Sequence, residues 1–497
     1  MIDVEELTIS AVHEAFRTGE FTCKDLAAAY LDRIHKFDKS GPKINSTMAL
    51  SVTALDEAEA CDAYYRHNGK LTGPLHGIPV LVKDQADTKG IITTYSSHIA
   101  RTNVPDEDST VVKNLKDAGA IILGKTTMSE WASTWFSYNT ATESFTHNPY
   151  KLGYDPSGSS SGTGSAIAAN FALIGVGEDT GGSIRIPSSF CNLVGLRPTV
   201  GLVSRTGFMP LLVAQDTPGP MARTVGDCAL MLDSMVGFDP KDETTTGRQL
   251  RKRPKSGQNK KARIGVICSL FGSDKDSARK AVNDVLHDAL SVLEAAGTTL
   301  IDIDVPNLKH YMTFTPTYIS SSRHDINLFL ATKPHLPNDI ASIVSKDPAH
   351  PTFGFTSAIA HSFTSPDQDP DYLKRIEDRL QFVRVVSNIM ATHNLDALTL
   401  PDVQIPSPKH EDATNGRFAD MWDFPVNTLF ASQLRWPAIT VPAGFTADDA
   451  GEGGAWGGLP VGLELVSWEF TEQKLLELAR GIEVLLKARR APKIPTT

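Results

Sequence analysis

Two glycine-rich loops that carry serines lie close together in this sequence. The first, residues 155–162, reads Asp-Pro-Ser-Gly-Ser-Ser-Ser-Gly, and the second, residues 178–185, reads Glu-Asp-Thr-Gly-Gly-Ser-Ile-Arg. Glycines let the backbone turn tightly and aim several N–H groups at one point, and serine hydroxyls in such turns can act as nucleophiles or proton carriers. Because about one helix and one strand separate the two loops, we expect them to arrange hydroxyl groups around a carbonyl.

The second loop has the more specific pattern. A strand that ends in Thr180, Gly181, Gly182 and Ser183 can turn its successive N–H groups inward around the Ser183 hydroxyl. Backbone donors held in this way stabilise the negative charge that develops on the oxygen of an attacked carbonyl. The alternative is a plain strand-to-helix turn in which glycine supplies a positive φ angle.

The first loop has two alternative interpretations. The segment Gly158-Ser-Ser-Ser-Gly162 matches the G-x-S-x-G pattern, in which the central serine, here Ser160, is a nucleophile on a turn directly after a buried strand. Pro156 argues against such a strand because proline cannot donate to a sheet ladder. Without that context, a flexible turn of serine and glycine is the simpler interpretation.

A lysine completes the pattern, because Lys83 follows the apolar run Ile78-Pro-Val-Leu-Val82, which predicts a strand buried on both faces. The two loops and this lysine together resemble the amidase signature family, which includes stand-alone fungal and bacterial amidases and the A-type subunits of amidotransferases. The resemblance covers nearly the whole chain, through the segments Gly124-Lys-Thr-Thr-Met-Ser-Glu-Trp131, Asn148-Pro149, Gly195-Leu-Arg-Pro198, Asp216-Thr-Pro-Gly-Pro220, Pro437-Ala-Ile-Thr-Val-Pro-Ala-Gly444 and Gly458-Leu-Pro-Val-Gly-Leu463.

The resemblance implies a catalytic triad of Ser183, Ser159 and Lys83. Ser183 would be the nucleophile that forms an acyl-enzyme, Ser159 the bridging serine on a cis peptide bond, and Lys83 the base. The N–H groups of residues 180–183 would form the oxyanion hole. An ammonium group cannot accept a proton, so Lys83 has to be neutral, and burial at the end of its strand would favour the neutral form by lowering its pKa. The resemblance implies no metal and no organic cofactor.

Neighbouring residues are expected to support this triad. We expect Asp179 and Arg185, which flank the nucleophile, and Ser160, beside the bridging serine, to fix the shape of the two loops. Direct contact of Asp179 and Arg185 with the substrate is the alternative. Trp135 and Phe136 precede the first loop and are candidate walls of an acyl or leaving-group pocket, with ordinary core packing as the alternative.

The chain departs from the family pattern at three places. The usual Gly-Gly-Ser-Ser-Gly-Gly core is Ser157-Gly-Ser-Ser-Ser-Gly162 here, Glu178 stands where the family usually has threonine, and Gln85 stands where asparagine is common. All three positions of the implied triad are intact. The departures therefore bear on loop geometry and substrate preference and leave the reaction class unchanged.

Apolar runs of strand length alternate with helical periodicity along the chain. This alternation predicts an α/β fold with a single large domain, a central mixed β-sheet and helices on both faces. We expect residues 1–70 to form a helical wrap, 71–247 the amidase signature core, and 264–497 the part that completes the sheet and the substrate pocket. Residues 248–263 are basic and contain proline and glycine, which predicts a surface linker.

The composition argues against several classes of protein. A net charge of −10 disfavours nucleic acid or an anionic membrane as the main partner. The N-terminus has no basic and apolar signal segment, and no apolar run approaches membrane-spanning length. Five cysteines without paired or metal-binding spacing predict reduced thiols. We therefore expect a cytoplasmic protein, a monomer or homodimer, that acts on a small-molecule amide.

The resemblance, taken together with these observations, implies hydrolysis of a carboxylic amide C–N bond to a carboxylate and an amine or ammonia. A Ser–His–Asp hydrolase would need a histidine near the serines, and the two nearest in sequence, His76 and His147, both resemble turn residues. An amidotransferase A-type subunit would feed ammonia to a partner, but the acidic composition and the stretch 310–417, which is variable in the family, favour a stand-alone hydrolase. A non-catalytic scaffold would be expected to lack one of the triad residues.

Overall fold

The computed structural model describes residues 2–246, 262–346, 355–414, 418 and 421–495. Residues 248–261 of the predicted surface linker lie outside the described residues. The predicted linker ends at Arg263, which is the first residue of a strand. No helix in the described ranges is long and apolar enough to cross a membrane.

Eleven strands of the described chain form one mixed sheet in the order β1-β3-β2-β4-β6-β5-β10-β11-β9-β7-β8. β2 is parallel to β3 and β4, β7 is parallel to β8 and β9, and the other pairings are antiparallel. The strands are β1 Thr47–Leu50, β2 Pro79–Lys83, β3 Ile121–Thr126, β4 Ile174–Asp179, β5 Val194–Arg197, β6 Thr217–Ala222, β7 Arg263–Ile267, β8 Thr299–Ile303, β9 Ala397–Pro401, β10 Ala438–Phe445 and β11 Pro460–Val466.

Helices pack on this sheet in two groups. One group is α5 with α6, which contact each other as well as the sheet, and the other is α7 and α8, which both contact α16. The helices are α1 Ile9–Thr18, α2 Cys23–Ile34, α3 Ala54–Asn68, α4 Thr110–Asp117, α5 Ser161–Ala168, α6 Arg185–Phe190, α7 Val225–Met235, α8 Ser277–Ala295, α9 Leu308–Phe314, α10 Tyr318–Leu330, α11 Ile340–Lys346, α12 Phe355–Ala360, α13 Tyr372–Thr392, α14 His410–Thr414, α15 Leu429–Leu434 and α16 Glu472–Leu486. The predicted fold class is confirmed.

The N-terminal helices pack on the core of the sheet. α2 begins with a capping box, in which the Thr22 side chain accepts from the Asp25 N–H and the Asp25 carboxylate accepts from the Thr22 N–H. The buried face of α2 includes Leu26 and Tyr30, which belong to the same apolar cluster as Val80 of β2. Residues 1–70 therefore share their core with the sheet.

The middle of the sheet places two strand ends side by side. β2 and β4 are parallel neighbours, with Val82 opposite Val176, and every residue of both strands is buried. Parallel strands end at the same edge of a sheet, so Lys83 at the end of β2 lies beside the last residues of β4. The second serine loop, residues 178–185, begins with these last residues of β4.

Candidate active site

Lys83 contacts the first serine loop. Its Nζ lies 2.8 Å from Ser159 Oγ and 3.1 Å from the carbonyl oxygen of Glu178, and the whole side chain is buried. The Gly158–Ser159 peptide bond is cis. Gly158 passes so close to Ser129 that a Cβ atom at this position would lie 2.0 Å from Ser129 Oγ, so only glycine fits there.

The two serine loops are joined through Ser160. Its N–H donates to the carbonyl oxygen of Ser183 at 3.2 Å. Its hydroxyl donates to the Glu178 carbonyl at 3.2 Å and accepts from the Glu178 N–H at 3.3 Å. Ser159 and Ser183 are both buried. The structure thus brings the three triad positions of the sequence analysis into one site, with Ser160 between the loops.

The N–H groups of the second loop have different surroundings. Within the described parts of the chain, the N–H groups of Gly181 and Ser183 donate to no protein acceptor. The N–H of Gly182 donates to Asp179 Oδ1 at 2.9 Å, and the N–H of Ile184 donates to Asp179 Oδ2 at 3.0 Å. Of the predicted oxyanion donors, the N–H group of Gly182 therefore already donates to a carboxylate, while the N–H groups of Gly181 and Ser183 have no acceptor among the described residues.

Two buried arginines hold Asp179. Arg185 donates to its carboxylate at 3.0 and 3.2 Å, and Arg197 donates to it at 2.7 Å. Burial alone would raise the pKa of Asp179, but the two guanidinium groups outweigh it and hold that pKa well below its usual range. Arg185 also reaches Glu464 Oε1 at 2.6 Å and the Thr428 carbonyl at 2.8 Å. These contacts connect the second serine loop to the segments that hold Thr428 and Glu464. Arg197 also contacts Asp179, and sequence reasoning missed it although its segment was recognised.

Glu178 is the carboxylate nearest to Lys83. Its Oε2 lies 3.4 Å from Lys83 Nζ, and both side chains are buried. Burial lowers the pKa of Lys83, and the negative charge of Glu178 opposes that shift. Burial and the nearby Asp216 raise the pKa of Glu178 to about 8. Desolvation thus favours a neutral lysine at this site. The sequence marked Glu178 only as a departure from the family pattern.

A narrow pocket opens at Ser183. The space between its walls, part of which is open to solvent, is about 240 Å³, and the walls include Trp135, Leu211, Tyr318 and Phe355. The Trp135 indole N–H and the Tyr318 hydroxyl are buried and have no hydrogen-bond partner among the described residues. Tyr318 gave no signal in the sequence, because it lies far beyond the nucleophile along the chain, in the stretch 310–417.

Phe136, the other predicted pocket residue, lies outside the walls of this pocket. Its ring packs against Phe418 and Phe424, with centroids 5.8 and 5.1 Å away. The two histidines weighed for a Ser–His–Asp site also have partners elsewhere: His76 contacts Thr72 at 2.9 Å, and His147 contacts His410 at 3.1 Å.

Comparison with known proteins agrees with this geometry. The family model described as Amidase matches residues 25–476. The chain belongs to the amidase family. The sequence resemblance is thereby confirmed, and this amidase-family enzyme acts on amide C–N bonds.

Individual amidase relatives resemble the chain over its whole length. It is 32% identical to the A-type subunit of the glutamyl-tRNA(Gln) amidotransferase of Alkaliphilus metalliredigens, over 97% of this chain and 96% of the relative. The solved peptide amidase of Stenotrophomonas maltophilia superposes with a TM-score of 0.84 at 30% identity, over 99% of both chains. The corresponding A-type subunit from Thermotoga maritima, at 24% identity and a TM-score of 0.76 over 100% and 99% of the chains, shares the fold.

Proposed function

We propose that this protein is a stand-alone hydrolase that converts carboxylic amides to a carboxylate and an amine or ammonia through an acyl-enzyme on Ser183. The observation that carries the proposal is the buried contact of 2.8 Å between Lys83 Nζ and Ser159 Oγ, beside the loop that holds Ser183. A lysine in water would be an ammonium and no base. Burial removes that hydration and favours the free amine.

In the first half of the reaction, neutral Lys83 takes the proton of Ser159 while Ser159 takes the proton of Ser183. The Ser183 oxygen forms a bond to the carbonyl carbon, and the carbonyl π electrons move onto its oxygen. The N–H groups of Gly181 and Ser183, which have no protein acceptor among the described residues, support a role as donors to that oxyanion. Thr180 completes the set that we propose, and Gly182 remains bound to Asp179.

The tetrahedral intermediate then collapses. Ser159 gives a proton to the departing nitrogen and regains one from the Lys83 ammonium, so the C–N bond breaks and a neutral amine leaves. A water molecule attacks the acyl carbon in the second half, and one of its protons passes through Ser159 to Lys83. That proton returns through Ser159 to the Ser183 oxygen as the acyl C–O bond breaks, and the released carboxylic acid loses its remaining proton to solvent as a carboxylate. The scheme uses no metal and no organic cofactor.

The pocket at Ser183 supports a substrate with a hydrogen-bond acceptor near the scissile bond. Trp135 and Tyr318 offer two polar groups that have no partner among the described residues, within an otherwise apolar wall. A buried donor without a partner is costly until a ligand satisfies it. A carbonyl or hydroxyl oxygen on the substrate would do so. The similarity to a peptide amidase makes peptide amides the substrate class to test first.

A second candidate is the amidotransferase A-type subunit. Its support is the 32% identity over 97% of the chain to such a protein. The two candidates make different demands on partners, since a hydrolase would act alone, whereas the second candidate would need the other components of its amidotransferase. The net charge of −10 supports a protein that does not itself bind nucleic acid, and we propose a cytoplasmic monomer or homodimer.

The test is turnover by the purified chain alone. A panel of amides that varies the acyl and the amine parts separately, with glutamine and peptide amides included, is assayed for released amine or ammonia. The Ser183→Ala protein is the control and should be inactive while keeping its fold. Turnover of glutamine alone, and only after the other components of a glutamyl-tRNA(Gln) amidotransferase are added, would favour the second candidate.

Covalent labelling tests the nucleophile itself. A fluorophosphonate should modify the native protein at Ser183, and peptide mass spectrometry should find the adduct there. An adduct at Ser160 would instead support the G-x-S-x-G interpretation, in which Ser160 of the first loop is the nucleophile.

A further inference from the structure

A second and larger cavity lies behind the catalytic loops. The space between its walls, part of which is open to solvent, is about 850 Å³, and its polar lining consists mainly of Gln85, Glu178, Arg205, Asp216, Lys241, Asp242 and Asp325. The remaining walls are largely apolar and include the side chains of Phe208, Met209, Pro218 and Phe329. Ser183, Trp135 and Tyr318 line the narrow pocket and not this one.

Thr180 and Asp216 separate the two cavities. The Thr180 hydroxyl donates to Asp216 Oδ1 at 2.7 Å. Thr180 lines the narrow pocket, and Asp216 lines the larger cavity. A molecule in the larger cavity would therefore lie beside the catalytic loops without touching Ser183.

Two carboxylates among the lining residues of this cavity form no ion pair with the described side chains. Asp216 accepts from backbone N–H groups of Leu211 and Leu212, at 2.9 to 3.1 Å, and Asp325 accepts from the N–H of Val213 at 2.8 Å. The nearby arginines Arg205 and Arg323 pair with other carboxylates. Burial raises the pKa of each of the two acids to about 6, which leaves both ionised above neutral pH.

Gln85 adds an acceptor that has no donor. Its side-chain nitrogen donates to the Met209 carbonyl at 2.6 Å. Its Oε1 is buried and makes no hydrogen bond within the described part of the chain. Gln85 is fully buried and is one of the residues that line the cavity. A buried acceptor of this kind calls for a ligand that donates.

The cations around the cavity are already matched. Arg205 donates to Asp242 at 2.7 and 3.0 Å. Lys241 is an exposed side chain, 3.6 Å from Glu107. Lys83 lies behind Glu178, at 3.4 Å from its carboxylate. Arg205 acts electrostatically on Asp216 and Asp325, but across the described ranges neither carboxylate forms an ion pair within 4 Å.

We propose that this cavity is a binding site for a primary ammonium group carried on an apolar body, an alkylammonium or arylalkylammonium ion. A primary ammonium has three N–H donors, which suit the Asp216 and Asp325 carboxylates and Gln85 Oε1. The apolar walls would cover the hydrocarbon part. Amines of this class are also what amide hydrolysis releases, and in that respect alone the inference rests on the proposed function.

The test is a calorimetric titration of the full-length protein with butylammonium chloride at about pH 7.5, where both carboxylates are ionised, and with butan-1-ol as the uncharged control. Butylammonium should bind and butan-1-ol should not. The Asp325→Asn variant should weaken butylammonium binding at least about tenfold, because a charge-assisted hydrogen bond is lost. Asp288→Asn, on the exposed face of α8, is the matched control and should leave binding unchanged.

Three results would overturn the inference: no binding of butylammonium, equal binding of butan-1-ol, or full binding by Asp325→Asn. A second variant covers the case in which Asp325→Asn does not fold. Val213→Trp fills the mouth of the cavity, where Val213 is 41% exposed, and should also abolish binding. The same titration with the Ser183→Ala protein separates this inference from the proposed function. Ammonium binding needs no turnover, so it should persist there even if the proposed reaction is wrong.

Discussion

Two lysines with no solvent exposure lie on neighbouring strands of this amidase and differ in what their nitrogens contact. Lys83 ends β2, and Lys125 lies in β3, where it pairs with Val82. Lys83 Nζ contacts the hydroxyl of Ser159 at 2.8 Å. Lys125 Nζ donates to the Ala86 carbonyl and to Thr93 Oγ1, the latter at 2.9 Å.

Burial lowers the pKa of both lysines, that of Lys125 to about 8, so burial alone does not make a lysine a base. The group that the lysine nitrogen contacts decides whether the lysine can act as a base. Each nitrogen contacts a hydroxyl, but the Ser159 hydroxyl lies in the loop that is bonded to Ser183, whereas the Thr93 hydroxyl donates its proton to the Ile91 carbonyl at 3.2 Å. Asp84, 4.0 Å from Lys125, makes that lysine part of an ion pair that ties down the loop after β2. We therefore propose that Lys83 acts as the base in the reaction and that Lys125 has a structural role.

The largest expected effect separates the two lysines by activity. Lys83→Ala should lower kcat/KM for amides by about 10³ or more, because general base and acid catalysis is lost. The loss should be smaller for esters, since an alkoxide leaves without the proton that Lys83 passes through Ser159. Parallel assays of an amide and its matching ester would show this. Near-normal amide hydrolysis by Lys83→Ala would mean that the base lies elsewhere.

Lys125→Ala is the matched change and should act on stability instead. Removing one partner of a buried ion pair costs about 3 kcal/mol, and the Ala86 carbonyl also loses its donor. Urea unfolding followed by circular dichroism measures the loss. The activity of the folded fraction should remain near that of the native protein. If Lys125→Ala had native stability and lost as much activity as Lys83→Ala, the distinction between a catalytic Lys83 and a structural Lys125 would be wrong.

The pH profile examines Lys83 in the native enzyme. The ammonium form cannot accept a proton, so kcat/KM should be low at acid pH and rise as Lys83 loses its proton. Burial places the midpoint of this limb below the ordinary lysine pKa of about 10.4. A profile for native protein and for Lys125→Ala should give the same limb. If the two limbs differ, the titrating group is not Lys83 alone.

The smallest effect concerns Glu178. Above about pH 8, where Glu178 is ionised, its negative charge stabilises the Lys83 ammonium and so opposes the effect of burial on the lysine pKa. Glu178→Gln removes that charge and keeps the shape, so the pKa of Lys83 should fall further and the limb should move to lower pH. Asp179 and Asp216, the other carboxylates that act on Lys83, stay in place. A move to higher pH would contradict the electrostatic account of this pair.

The elements near the site could be predicted well from the sequence because their signals are local. The apolar run before Lys83 and the glycines after Asp179 each specify a short stretch of backbone without reference to the rest of the chain. The roles within the triad came from the family resemblance and not from these local signals. They stay predictions until the variants are measured.

What the sequence did not reveal depends on contacts between distant segments. Tyr318 meets Gly181 closely enough that a Cβ there would lie 2.3 Å from its hydroxyl, and no periodicity links the two positions. Phe136 and Trp135 are adjacent in sequence, yet only Trp135 lines the pocket at Ser183. The larger cavity was missed for the same reason, since Gln85, Asp216 and Asp325 come together only in the folded chain.

The contacts of Arg185 have a consequence for how the chain acquires its activity during synthesis. Residues 71–247 hold every triad position, but the guanidinium that orders Asp179 also needs Thr428 and Glu464. A nascent chain that has released only its first half would carry the three reactive side chains without the anchor for the loop between them. Catalytic competence would therefore arrive late, when β11 joins the sheet, and a fragment cut before β11 would be inert. The enzyme would therefore have no activity while it is still being synthesised.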